Sequence, residues 1–414
     1  MKEWGIKNKI FTISVDNASN NDLAIKLLKE TFLKSKRLLL GGALFHVRCA
    51  AHILNLIVQD GLHKFEYIIE DVKESVRYIN ASEARLKKFA EILQQMQIRV
   101  RKLIIDCPTC WNSTYDILVA AMKVKDAFPI FAQREVRFLN CPTPDDWIKV
   151  EKVLKILEVF YEATHIISGS EYPTSNKFLA VIWRVKEVLN EGAIASDDFI
   201  QETVTPMKEK FDKYWGECNL LMAIAAVLDP RFKMKLIEFS FPLIYQREEV
   251  DANLAKVKKK LNELYCEYKA MVQSDQTSHS MTDQHPSASG SSGSLGGSSS
   301  NVSTQLSGLS RFNQFIKSAE TIQPIKSELD VYLEDGVYII DENAAAHYDA
   351  LGWWKANELK YRVLSKMAID ILAIPMSTVA SESTFSTSGR VLDPYHSKLS
   401  VETMQVLICG GDWV

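Results

Sequence analysis

The chain has 414 residues, of which 47% are hydrophobic and 24% charged, and its formal net charge at pH 7 is −3. This composition is typical of a globular protein with ample core. The near balance of charge excludes an overall positive field that would attract nucleic acid, so any DNA-binding surface must be a local patch. No apolar run reaches the roughly 18 residues that a membrane span needs. Seven scattered cysteines predict reduced thiols in a nuclear or cytosolic setting.

The first 80 residues carry alternating strand and helix signals. Residues 9–15 are rich in β-branched and aromatic side chains and predict a strand, which ends in turn and cap chemistry at residues 16–22. A second strand is predicted over residues 44–49, and a long helix over residues 50–79. Strand, helix and strand in this order indicate an α/β fold. The intervening helix, over residues 22–35, places four apolar side chains on one face: Leu23, Leu27, Leu28 and Phe32.

Helical periodicity dominates the middle of the chain. Residues 145–167 and 174–190 have apolar side chains at three- and four-residue spacing, which predicts helices. The densest basic run is either a solvated helix face or a contact to the DNA backbone, and it comprises Lys256, Lys258, Lys259 and Lys260. Residues 274–310 consist mainly of Ser, Gly, Thr and Gln, without aromatic residues, Lys or Arg. Such a segment cannot bury enough apolar area to order itself, so we expect a disordered linker.

A distinctive stretch near the C-terminus spans residues 374–392. Pro375 ends the preceding helix, and Ser377 can cap a new helix that extends to Ser388. The only carboxylate in this stretch before Leu392 is Glu382, set among small residues. From spacing alone it is either a capping or solvated glutamate or an acid that approaches a sheet or a metal closely.

Several motifs in this region resemble one family. The sequence STVASESTFS at residues 377–386, followed by GRVL at residues 389–392, is similar to the C-terminal dimerisation region of hAT-type transposases. LGWWK at residues 351–355 and CGGDW at residues 409–413 fit the same pattern. Among these transposases the plant BED-finger proteins of the RICESLEEPER/DAYSLEEPER type are the most similar, and the resemblance covers nearly the whole chain. It implies a nuclear, DNA-associated protein.

The resemblance also implies a fold. The expected class is α/β but mostly α: a partial RNase H-like fold interrupted by a large all-helical insertion, followed by a C-terminal helical hAT dimerisation region. The corresponding units are a partial RNase H-like core at residues 1–110, the helical insertion at 111–273, the disordered linker at 274–310 and the dimerisation region at 311–414.

Two acids match the catalytic positions of the family. The resemblance implies that Asp16, just after the first strand, is the second acid of an Asp-Asp-Glu triad and that Glu382 is the third. In the family three acids hold two Mg²⁺ ions, which cleave the phosphodiester. We expect the strand with the first acid, which would precede Trp4, and the N-terminal BED zinc finger to be missing. The triad would then be vestigial, with no metal, cofactor or enzymatic activity; Mg²⁺ would bind only if another acid, such as Asp106, completed it.

Three residues match DNA-contacting positions of the family. Cys49 and His52 form its Cys-x-x-His element, and Trp111 matches the tryptophan that offers a stacking face to an unstacked base. Cys110 stands where the family has an arginine, which removes a phosphate contact. Other interpretations stay open: Cys49 and His52 could bind zinc with Cys107 and Cys110, those two thiols could be redox-active, and Trp111 could pack in the core.

The resemblance implies a homodimer formed by the C-terminal region, although the same apolar stripe equally suits intrachain packing. The expected function is that of a degenerate, domesticated transposase that dimerises and binds DNA weakly. The alternatives are an active Mg²⁺-dependent transposase and a remnant without function. The side chains expected to contribute to dimerisation are Trp353, Trp354, Leu359, Leu364, Met367, Ile371, Phe385 and Leu407.

Overall fold

The computed structural model describes residues 10–34, 38–99, 111–215, 219–280, 326–341, 348–382 and 403. In these ranges the protein is mostly helical and has one small parallel sheet. Strand β1 (Ile13–Val15) pairs with β2 (His46–Arg48), with Ile13 opposite His46 and Val15 opposite Arg48. Both strands are shorter than predicted. The crossover between them is helix α1 (Ser19–Lys34), so the strand, helix and strand order of the sequence is confirmed.

The other helices follow in chain order. They are α2 (Ala50–Leu62), α3 (Glu66–Asn80), α4 (Glu83–Gln95), α5 (Trp111–Met122), α6 (Ala127–Arg134), α7 (Pro144–Ile167), α8 (Ser175–Ala193), α9 (Asp198–Trp215), α10 (Leu220–Val227), α11 (Lys233–Ile244), α12 (Arg247–Ser280), α13 (Glu328–Glu334), α14 (Ala350–Ala356) and α15 (Arg362–Leu372). None of the helices described combines the length and hydrophobicity needed to cross a lipid bilayer.

The long helix predicted over residues 50–79 is two helices, α2 and α3. A 3₁₀ turn at His63–Phe65 separates them and rotates the chain so that Phe65 is fully buried. Gly61 allows α2 to lie close to α9, because a Cβ at this position would lie 2.4 Å from the sulfur of Met207. The break therefore follows from packing that the periodicity of this segment does not encode.

The apolar face predicted for α1 is partly wrong. Leu23 and Leu27 are 63% and 55% exposed. Phe32 points inward as predicted and packs with Ile25 and Phe45 in a small separate core cluster, against which Leu28 also packs. The inward face of the helix is thus rotated away from Leu23 and Leu27 toward Ile25.

One continuous core unites the rest of the protein. Its buried residues extend from Leu44, before β2, to Met376, after α15. Helix α8 packs against α7, α9, α10 and α11, while α2 packs against α9 and α7. The described parts of the predicted insertion and of the predicted dimerisation region therefore share a single core.

The C-terminal helices are joined to the body by hydrogen bonds that cap helix ends in both directions. At the end of α10, the Tyr332 hydroxyl donates to the Val227 carbonyl at 2.9 Å and the Trp354 indole N–H donates to the Leu228 carbonyl at 2.7 Å. At the end of α13, the ammonium of Lys233 donates to the carbonyls of Tyr332 and Asp335 at 2.7 and 2.8 Å. The last carbonyls of a helix have no hydrogen-bond donor within that helix. Side chains of α13 and α14 supply donors to the end of α10, and Lys233 supplies them to the end of α13.

We expect Tyr332→Phe to lower the free energy of unfolding by about 1–3 kcal/mol, because it leaves the buried Val227 carbonyl without its donor. The measurement is urea-induced unfolding followed by circular dichroism. Tyr338→Phe is the matched control, since this tyrosine is 50% exposed on the same segment. Equal effects of the two substitutions would contradict this account of the helix caps.

Candidate functional site

Three distant segments meet at the carboxyl end of β1. The Ser14 hydroxyl donates to the Pro375 carbonyl at 2.9 Å, across 361 positions of sequence. The Cys49 N–H donates to the Val15 carbonyl at 2.8 Å, and the Ala50 N–H donates to the Met376 carbonyl at 2.8 Å. The turn after β1, the start of α2 and the segment after α15 are therefore neighbours. Ligand-binding residues of α/β proteins collect at such strand ends.

Cys49 joins two of these segments through its sulfur. Its thiol is 1% exposed and accepts from the His52 N–H at 3.4 Å, which caps the start of α2. The same sulfur accepts from the Thr378 N–H at 3.3 Å and lies 3.9 Å from the Ser377 hydroxyl oxygen. The buried thiol of Cys49 thus binds protein backbone, and its contact with DNA stays a prediction.

Asp16 lies one residue beyond β1 and is half-buried. Its Oδ1 accepts from the Ala18 N–H at 3.0 Å and from the side-chain amide of Asn21. These bonds fix the turn that leads into α1. Nearby, Arg48 forms an ion pair with Asp22 at 3.0 Å.

Glu382 lies in the first turn of a helix that begins at Val379, and its side chain is exposed. The Ser377 hydroxyl accepts from the Val379 N–H at 3.1 Å, so the N-cap position falls on Thr378, one residue after the predicted Ser377. The carboxylate of Glu382 accepts from the hydroxyl of Thr378. The segment that precedes Glu382 thus contacts the end of β1 and the start of α2.

The absence of Mg²⁺ binding by the two candidate acids stays a prediction. Asp16 and Glu382 each engage local hydrogen bonds, and no group of three or more His, Cys, Asp or Glu side chains within the described ranges could hold a metal ion. Asp106, Cys107 and Cys110 lie outside the described residues. The zinc, redox and third-acid alternatives that involve them therefore stay predictions.

The two remaining DNA-binding candidates differ in exposure. His52 is half-buried in the first turn of α2, close to the carboxyl end of β1. Trp111 begins α5, is 6% exposed and belongs to the core. Its ring contacts Tyr161 edge-on, with centroids 6.4 Å apart. In this structure Trp111 is a core residue, as the packing alternative predicts, and its stacking on a DNA base stays a prediction.

The residues expected at the dimer interface are mostly internal. Four of them have no exposed surface: Trp354, Leu364, Met367 and Ile371. The apolar stripe of α15 is thus covered by the chain's own α12, α10 and α14. Leu359 lies in the turn before α15 and is 88% exposed, and Trp353 is half-buried. Phe385 and Leu407 lie outside the described residues.

Sequence reasoning missed two buried charges that organise this region. Asp229, after α10, has no exposed surface and accepts from the Asn176 side-chain amide and from Arg231, both at 2.7 Å. Lys233 is 5% exposed, and burial lowers the pKa of its ammonium. Its backbone φ of 47° lies in the left-handed region. Single charged residues in a helical pattern carry no sign of burial, so only the unusual segment DPRFK was a hint.

A cleft of about 640 Å³ opens next to the Glu382 segment. Its walls are the loop between α7 and α8 and residues 372–380. The ammonium of Lys177 lies 3.5 Å from the centre of the Tyr172 ring, and burial lowers the pKa of Lys177. The break at residues 171–174 was visible in the sequence, but the cleft was not.

The fold and this site define a class: a largely helical RNase H-like protein in which the C-terminal part returns to the sheet. Four family models match in chain order: the ZBED1 RNase-like domain at residues 1–44, the ZBED1 RNase-like helical domain at 47–156, the hAT-like transposase RNase-H fold at 176–268 and the hAT family C-terminal dimerisation region at 328–414. The chain belongs to the hAT transposase-like family, and within it to the group of transposase-derived plant BED-type proteins.

Several individual relatives are plant proteins. The chain is 38% identical to zinc finger BED domain-containing protein RICESLEEPER 2 of Oryza sativa subsp. japonica, over 100% of this chain and 57% of that protein. It is 32% identical to DAYSLEEPER of Arabidopsis thaliana, with 56% of that protein covered, and 32% identical to a putative AC transposase of Zea mays, with 50% covered. The chain therefore spans about half the length of these curated relatives.

We expect Cys49→Ala to loosen the segment that carries Glu382, because the N–H groups of His52 and Thr378 lose their common acceptor. The measurement is amide hydrogen exchange of residues 376–382, which should speed up at least severalfold. Cys266→Ala is the control, since that thiol is exposed. Unchanged exchange in Cys49→Ala would show that the sulfur does not hold this segment.

Proposed function

We propose that the chain is a domesticated hAT transposase-like protein that self-associates through its C-terminal region, binds DNA weakly and does not itself cleave DNA. The observation that carries the proposal is the match of residues 328–414 to the hAT dimerisation region. The reciprocal helix caps support it, because they hold the described part of that region rigidly against the body. The names of the relatives, which include BED zinc finger proteins, support a nuclear location.

The absence of cleavage is supported by the state of the two candidate acids. Asp16 fixes the turn before α1, and Glu382 is exposed and accepts from Thr378. Two-metal cleavage needs carboxylates that converge on both ions. Cys110 also replaces the arginine of the family pattern and with it a fixed positive charge.

Weak DNA association is supported by charge on α12 and by the relative named as a transposase. Lys256, Lys258 and Lys259 are exposed, whereas Lys260 pairs with Glu263 at 2.6 Å. Exposed lysines of this kind contact the phosphates of DNA. Binding would therefore be independent of the DNA sequence and sensitive to salt concentration.

For self-association we expect the purified chain to be a dimer at micromolar concentration. Light scattering coupled to size exclusion should then give twice the 46.9 kDa of one chain. A monomer across this concentration range would contradict the proposal and favour a remnant without a partner.

For DNA we expect binding without cleavage, measured on one labelled duplex. With three lysines on phosphates, affinity should fall by about 40-fold between roughly 50 and 200 mM salt. Replacing Lys256, Lys258 and Lys259 together by glutamine should flatten this dependence. The control is the same replacement at three exposed lysines elsewhere: Lys64, Lys87 and Lys123.

In the same experiment Mg²⁺ should produce no nicked strand, either with the wild-type chain or with Glu382→Gln. Cleavage that requires Mg²⁺ and disappears in Glu382→Gln would overturn the non-catalytic proposal and establish an active transposase. Binding that is equally weakened by both lysine triplets would argue against α12 as the DNA-binding face.

A further inference from the structure

The described part of the dimerisation region has an exposed apolar surface that its own core does not use. Four side chains form it, and together they are called the 337–359 patch: Val337, Tyr338, Ile339 and Leu359. Ile339 and Leu359 are 87% and 88% exposed, and Tyr338 is 50% exposed. Isolated exposed apolar residues are common, but adjacent ones mark interaction sites.

Asp335 links the two segments that carry the patch. Its carboxylate accepts from the Lys360 ammonium and from the Tyr361 hydroxyl, both at 2.9 Å. These bonds fix the loop after α13 beside the turn before α15, and they lower the pKa of Asp335. The Tyr338 N–H donates to the Pro230 carbonyl at 2.8 Å, which ties the loop to the body. Both segments are thus anchored to the rest of the chain, which reduces the entropy lost on association.

We infer that the 337–359 patch forms the centre of the contact with a second copy of this chain. The inference rests on the proposed self-association and names the surface responsible for it. The apolar side chains of α14 and α15 that were expected at the dimer interface, such as Trp354 and Leu364, are buried within the chain. The patch lies within the residues that match the hAT dimerisation region, and it is exposed.

The charges around the patch suit a self-complementary contact. Lys355, Glu358 and Lys360 are exposed beside Leu359. In a two-fold dimer the same surface meets itself, so a rim with both signs of charge can place the acid of one copy near a base of the other. A stable interface buries about 800 Å² on each partner, so these four side chains form its apolar centre and other parts of the region supply the remainder.

The test uses the full chain with Ile339→Asp, Leu359→Asp and the double variant, measured by light scattering over a range of concentrations. A buried, unpaired carboxylate at an apolar centre should weaken dimerisation at least 100-fold. Two matched controls carry the same changes at residues of equal type and exposure outside the region: Ile194→Asp and Leu139→Asp, each 85% exposed in the wild type. Thermal unfolding by circular dichroism verifies that all variants fold.

The outcomes separate the inference from the proposed function. A folded double variant that is monomeric, with dimeric controls, supports the 337–359 patch. A double variant as dimeric as the wild type overturns the patch and leaves the proposed self-association intact. A monomeric wild type overturns both. Dissociation of the control variants to the same extent also overturns the patch, since the effect would then not depend on location.

Discussion

The exchange of hydrogen bonds between α10 and α13 is the constraint on which the arrangement of the C-terminal region depends. The Tyr332 hydroxyl reaches a carbonyl 105 positions earlier, and Lys233 reaches the carbonyls of Tyr332 and Asp335 in return. A buried carbonyl left without a donor costs about 1–3 kcal/mol. Several such carbonyls have a donor only when the C-terminal helices are docked on α10 and α11. Undocking would therefore leave all of them exposed to water or without a donor at the same time.

The position of the Glu382 segment follows from this docking. Helix α15 packs against α12 and α10, and its last carbonyls accept from the Ser175 hydroxyl at 3.3 Å. The chain then passes Thr174, whose hydroxyl accepts from the Met376 N–H at 3.2 Å, and reaches β1 and α2. Most of these bonds involve backbone atoms. A site framed by backbone bonds keeps its architecture when catalytic side chains change, so loss of chemistry in such a protein does not require loss of fold.

The sequence predicted local features better than packing partners. The strand, helix and strand order follows from propensities and turn chemistry that act over a few residues. Periodicity reports that a helix has an apolar face but not what covers it. This is why the stripe of α15 was compatible with both a dimer interface and an internal core, and why Leu27 of α1 was placed inside although it is exposed.

For the candidate site, the resemblance supplied what spacing could not. Asp16 and Glu382 lie at opposite ends of the chain, and no local pattern indicates that they share one edge of a sheet. The buried thiol of Cys49 was identified as a notable residue for a different reason. Its role as a shared cap depends on the backbone of Thr378, 329 positions away, which a single sequence does not reveal.

Asp335 connects the docking of the region to its exposed surface. Its carbonyl accepts from the buried Lys233, and its carboxylate accepts from Lys360 and Tyr361 beside Leu359. Burial lowers the pKa of Lys233 because the charged ammonium loses water, so this ammonium needs the acceptors that the end of α13 provides. Asp335 thus connects the packing of α13 inside the chain to the position of the segments that carry the 337–359 patch. A surface fixed in this way keeps its shape only while the C-terminal region remains docked, so the proposed self-association would depend on the folding of that region.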